Sequence, residues 1–229
     1  MRTVDLSQTS LRELNAALHG LGSFTNETHW RVLHPRGQHA IAAGIDAAIT
    51  VEIEGHVGYY CAGMNRDATV VVNGSAGQGV AENMMSGRVH VKGDASQAAG
   101  ATGCGGLLVV DGNASARCGI SMKGIDIVVK GSVGHLSAFM GQAGNLVVLG
   151  DAGEALGDSI YEARLFVRGK VESLGADCIE KPLDEQHKAG LARLLAAAGL
   201  NGAVDPGSFR CYGSARKLYH FHIDNVGSY

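Results

Sequence analysis

The run Val70-Val71-Val72-Asn73-Gly74-Ser75-Ala76 returns nineteen residues later as Val89-His90-Val91-Lys92-Gly93-Asp94-Ala95. It returns again as Leu108-Val109-Val110-Asp111-Gly112-Asn113-Ala114. Extended both ways, this register puts Gly55, Gly74, Gly93, Gly112, Gly131, Gly150 and Gly169 in one column without a slip. An internal period this strict dictates architecture before any single residue is considered.

Four residues before the glycines stand Val51, Val70, Val89, Leu108, Ile127, Leu146 and Leu165. Two before stand Ile53, Val72, Val91, Val110, Val129, Val148 and Val167. Two after stand Val57, Ala76, Ala95, Ala114, Val133, Ala152 and Val171. Apolar, mostly β-branched residues at every second position make a strand with one buried face. The glycine either replaces an inward side chain or marks a corner where a Cβ would clash. Seven residues after it come only Ala62, Ala81, Gly100, Gly119, Ala138, Gly157 and Ala176, which predicts a second corner where backbone meets backbone.

A nineteen-residue unit with one strand and two corners has no room for a crossover helix. The reading is an all-β fold, a single-stranded parallel β-helix of about seven coils stacked roughly 4.8 Å apart, a rod about 30 Å long. Left-handed forms built on hexapeptides repeat every eighteen residues, so the period of nineteen favours a right-handed coil.

Stacks of this kind need caps, because terminal coils expose edges. Residues 1–48 form the first cap, with a Ser10-x-x-Glu13 capping box, Leu11, Leu14 and Leu18 on one helical face, and a degenerate leading coil over 29–44. Residues 49–180 form the β-helix. Residues 181–229 supply a helix from about Leu183 to Ala198, stopped at Gly199, and an aromatic, basic tail. All three belong to one structural domain.

Net charge is −3, which argues against a general nucleic-acid binder. No apolar run approaches a membrane span and the start lacks a signal h-region, so a cytoplasmic protein is expected. Five cysteines without a CxxC pair fit a reducing compartment. Cys61 and Cys118 share a column three coils apart, too distant for a disulfide, and read as small buried residues. Cys104, within Thr102-Gly103-Cys104-Gly105-Gly106, is the thiol with exposed surroundings, yet no histidine lies near it in sequence. There is no HExxH, no P-loop and no dinucleotide fingerprint. His220-Phe221-His222 offers only two ligands to a metal. The outward strand positions Glu54, Asn73, Lys92, Asp111, Lys130 and Arg168 read as a solvated face. No catalytic, cofactor-binding or metal-binding residue is therefore expected in this chain.

One constellation remains. Met64, Met84, Met85, Met122 and Met140 fall nine to eleven residues after a repeat glycine, a vertical band ringed by Asn65, Arg66, Asn83, Lys123 and Gln142. Methionine adapts to irregular partners, so the band fits a protein–protein surface; it fits a core equally well. A second face, four and five residues after the glycine, carries Tyr59, Tyr60, Arg117 and His135. In the tail, Tyr212, Arg216 and Tyr219 are of the types that anchor interfaces, against the competing reading of a tail folded back on its own helix.

The recurrent Val-x-Val-x-Gly-x-Ala/Val units resemble the GXGXG domain at the C-terminus of the glutamate synthase large chain. That domain is also a free subunit in formylmethanofuran dehydrogenase. The runs from Glu54 to Asn65, Gly79 to Gly87 and Cys118 to Gly124 are more specific. They resemble the stand-alone GlxC-type subunits and the middle subunit of N-methylglutamate synthase. The resemblance implies a non-catalytic scaffold within a glutamate-synthase-like complex, beside a class-II amidotransferase-like subunit and an FMN-binding barrel subunit. FMN, and any iron–sulfur cluster, would sit on those partners, and this chain would help wall a passage for ammonia or methylamine. Consistent with that, position 2 is Arg, no cysteine spacing suits a cluster, and no stretch is left for a barrel of about 250 residues. The alternatives are a β-helix subunit of a formylmethanofuran-processing complex and an autonomous β-helix enzyme.

Overall fold

A computed structural model describes residues 1–22 and 25–215. The chain begins with strand β1 (Arg2–Asp5) and helix α1 (Leu11–His19). Eight strands follow: β2 (His29–Leu33), β3 (Thr50–Glu54), β4 (Thr69–Val72), β5 (Arg88–Val91), β6 (Leu107–Val110), β7 (Lys123–Val129), β8 (Ala143–Val148) and β9 (Arg164–Val167). Strand β10 (Cys178–Lys181), helix α2 (Glu185–Ala197) and strand β11 (Arg210–Ser214) complete it. From β1 to β9 the strands pair in parallel and in chain order, one per coil. The fold is a parallel β-helix.

Register follows the apolar columns. Val51, Val70, Val89, Leu108, Ile127, Leu146 and Leu165 lie opposite one another down the sheet, and so do the residues two further on. Both columns are fully buried. The column two after the glycine makes a second, one-residue-wide wall of bridges from Val57 through Ala76, Ala95, Ala114, Val133 and Ala152 to Val171.

The corner between these walls is where glycine is needed, and the reason is close approach. Gly93, Gly112, Gly131, Gly150 and Gly169 each donate their N–H to the carbonyl of the repeat glycine one coil earlier, at 2.8–3.0 Å. A Cβ at Gly131 would stand 2.7 Å from the Gly112 carbonyl oxygen and clash with Asn113 Oδ1. One residue further on, a side-chain ladder runs beside the glycines. Asp94 accepts the N–H of Asn113, Asn113 that of Ser132, Ser132 that of Asp151, and Asp151 that of Lys170, at 2.7–2.9 Å.

The third side of each coil is an alternating left-handed run. Residues five, seven and nine after the glycine have positive φ, as at Leu136, Ala138 and Met140 (55°, 57° and 52°). A non-glycine residue there costs roughly 1–2 kcal/mol. The geometry persists because it satisfies the backbone between coils. Leu136 donates forward to Glu154, Ala138 back to Cys118, and Met140 forward to Asp158. The small column seven after the glycine thus has a different cause from the expected one. Its side chains point inward at a left-handed residue, and a Cβ on Gly100 would meet Ile127 Cδ1 at 2.6 Å, a core side chain rather than backbone.

At the leading end β2 stacks on β3 with Trp30 opposite Val51, and β1 adds a strand that the sequence reading left inside the cap. Ser10 and Glu13 close the capping box of α1, whose Leu14 and Leu18 are buried. At the far end β11 inserts antiparallel between β9 and β10. Helix α2 does not cover the end of the stack. It lies on the outer sheet face, burying Leu191 and Leu195 against Val109, Val128, Val147 and Phe166, three residues before their glycines. Half of this outer face is therefore a second core, and none of the positions read as solvated belongs to it. The solvated half carries an ion cluster, with Asp111 2.7 Å from Lys130 Nζ and 2.8 Å from His90 Nε2.

Because the Gly131 contact is backbone on backbone, Gly131→Ala should destabilise the protein by about 1–3 kcal/mol or more. Gly22→Ala, where a Cβ meets nothing within 4 Å, should be close to neutral. Urea unfolding of the two variants measures the difference.

Candidate functional site

Among the described residues, no group of three or more His, Cys, Asp or Glu is placed to hold a metal ion. No helix among them is long and apolar enough to cross a membrane. Four of the five thiols are sealed in the core. Burial pushes Cys61 and Cys118 up to about 12, and Cys178 and Cys211 up to about 11. Thiols held that high are inert at neutral pH. Cys104 is exposed, with its Sγ 3.6 Å from the Thr102 carbonyl.

The methionine band divides by column, and the left-handed run explains how. Successive side chains point to opposite sides there, as they do along a strand. Residues ten after the glycine face inward, and Asn65, Met84, Gly103, Met122 and Gly141 are all buried. Met84 and Met122 are wholly enclosed, so they are core residues and not part of a docking surface. Asn65 is likewise interior, its Nδ2 donating to the Ala68 and Ser86 carbonyls. Positions nine and eleven after the glycine face outward. Met64 is 58% exposed, Met85 45% and Met140 42%. Tyr161, eleven after Gly150 and 42% exposed, joins them. The sequence reading missed it by following methionine as a residue type rather than following the column.

On the second face Tyr59, Tyr60, Arg117 and His135 are all exposed. Tyr59 stacks on His39 with ring centroids 4.4 Å apart, and its N–H donates to His39 Nδ1. Tyr60 meets Tyr59 edge-on at 6.4 Å. These contacts fix the orientation of two aromatic rings that remain open to a partner.

The tail is the other correction. Tyr212 sits within β11, only 2% exposed, because pairing with both β9 and β10 turns its ring inward. Arg210 lies 5.7 Å from that ring and donates to the Gly169 carbonyl. Of the tail residues proposed as anchors, Tyr212 is thus unavailable. Arg216 and Tyr219 lie outside the described residues.

Comparison with known proteins gives one relative. The chain is 62% identical over 229 residues to "Protein GlxC" of Rhizobium meliloti (strain 1021), covering 100% of both chains. No family model matches the chain. No solved structure matches it.

The burial of four thiols and exposure of the fifth have a direct readout. In the native protein a thiol-specific reagent such as iodoacetamide should label one cysteine per chain, and five after unfolding. Peptide mapping should place the native label on Cys104, and Cys104→Ser should abolish it.

Proposed function

The chain belongs to the GlxC family, and from that premise we propose that it is a non-catalytic scaffold subunit of a glutamate-synthase-like complex. The complex best suited to the reading is N-methylglutamate synthase, which converts methylamine and glutamate to N-methylglutamate and ammonia. A class-II amidotransferase-like subunit and an FMN-binding subunit carry the chemistry. This chain holds them in register and contributes wall to the passage between them.

The observation that carries the proposal is the outward row Met64, Met85, Met140 and Tyr161. These four large side chains stand outward on a rigid stack and belong to neither core cluster. Fully burying a methionine contributes about 1.5–3 kcal/mol, so covering the row supplies apolar driving force toward a partner, set against the cost of association. Flexible thioethers suit a surface that must meet more than one partner. The sealed thiols support the same division of labour, since a core cysteine cannot act as a nucleophile on substrate.

An affinity tag on the chromosomal copy tests this. The full-length chain should co-elute with an amidotransferase-like and a flavin-barrel subunit, identified by mass spectrometry. Combined Met64→Glu, Met85→Glu and Met140→Glu changes should leave its unfolding midpoint within a few degrees of wild type. They should reduce partner recovery at least tenfold, the equivalent of about 1.4 kcal/mol. A chain that elutes alone, or that carries bound flavin when pure, contradicts the proposal.

A further inference from the structure

Between α2 and the outer edge of β7, β8 and β9 lies a cleft of about 230 Å³. It is below the roughly 300–1,000 Å³ of sites for drug-sized ligands, and therefore suited to a small metabolite. Its strand wall is a cross-strand ladder, with Asp126 opposite Asn145 and Asn145 opposite Arg164. Its helix wall carries Arg193. Phe166, Leu191 and Leu194 add apolar surface.

Gly190 lines this opening with no side chain of its own. It sits in the interior of α2, where glycine costs roughly 0.5–1 kcal/mol relative to alanine. No close contact demands it, since a Cβ there would meet nothing nearer than Arg193 Nη2 at 3.8 Å. Its backbone is not left-handed. What the missing side chain does is keep the helix wall of the cleft open. Local rules broken without a structural return are the mark of a functional position.

His187 of the lining pairs with Asp184 at 3.0 Å, but the three other charged groups of the cleft form no ion pair among the described residues. Asp126 is half-buried, and its Oδ1 accepts a 2.7 Å hydrogen bond from Asn145 Nδ2. Burial raises its pKa, and no cation pairs with it among the described residues. Arg164 and Arg193 likewise form no ion pair among the described residues. Asp126 and Arg164 are two strands apart, about 9.6 Å of sheet. A ligand with adjacent ammonium and carboxylate groups matches an unpaired carboxylate and unpaired guanidinium groups on the walls of one cleft, through charge-assisted hydrogen bonds.

We propose that this cleft binds a small α-amino acid, its ammonium on Asp126 and its carboxylate on Arg164 and Arg193. The side chain then lies against Phe166 and Leu194. The inference does not depend on the scaffold reading, because it concerns this chain alone.

Isothermal titration of the purified full-length chain with L-alanine, L-methionine and L-glutamate tests it, with succinate and butylamine as ligands lacking one of the two groups. At least one amino acid should bind, with succinate and butylamine at least tenfold weaker. Asp126→Asn and Arg193→Gln should each weaken binding at least tenfold. Arg193 is exposed, so its variant will fold and keeps the test decisive if Asp126→Asn does not. Gly190→Leu should raise the unfolding midpoint and abolish binding. Absence of amino-acid binding, equal binding of succinate, or variants that bind like wild type would overturn the assignment.

Discussion

A hydrogen bond from one repeat glycine to the next sets the geometry on which every other feature depends. The amide of Gly112 donates to Gly93, that of Gly131 to Gly112, and that of Gly150 to Gly131. The contact leaves no space for a Cβ. It holds consecutive coils in one rotational register, and the valine and isoleucine columns can then stack on themselves. With the register fixed, the side-chain ladder beside the glycines and the left-handed run on the third side satisfy the polar backbone that a coil would otherwise strand.

That constraint also divides the residues by role. Inward columns are occupied by core, the glycine corner by close approach, and the position after it by backbone-capping side chains. The outer columns at positions four, five, nine and eleven are free to differ from coil to coil. There Tyr59, Tyr60, Met64, Met85, Arg117, His135, Met140 and Tyr161 are displayed. A rigid rod with variable side chains at fixed spacing suits the proposed scaffold role.

Much of this was legible in the sequence, for reasons that are physical. Glycine and alternating valines carry the coil because the backbone contact and the pleat each permit few residue types. The Ser10–Glu13 box and the Gly199 stop mark helix ends because caps need particular side chains and particular φ values. What could not be read was the left-handed run, since Tyr60, Leu136 and Met140 are not residues that advertise positive φ. Without it the side to which Met84 and Met122 point is undetermined. Strand β11 was hidden for another reason: an antiparallel return has no period, and its partners lie roughly thirty to forty-seven residues away. Two signals were present but unused. The outward column Val109, Val128, Val147 and Phe166 is apolar and called for a cover, which α2 provides. The column after the glycines is rich in Ser, Asp and Asn, the residues that cap backbone amides.

Oxidative footprinting of the methionines tests the central claim most directly, because the protein contains its own controls. In the isolated chain, mild peroxide should convert Met64, Met85 and Met140 to sulfoxides while Met84 and Met122 resist. In the native complex the account predicts that Met64, Met85 and Met140 become protected and that the two core methionines are unchanged. Equal oxidation of Met64, Met85 and Met140 in the two states would contradict it.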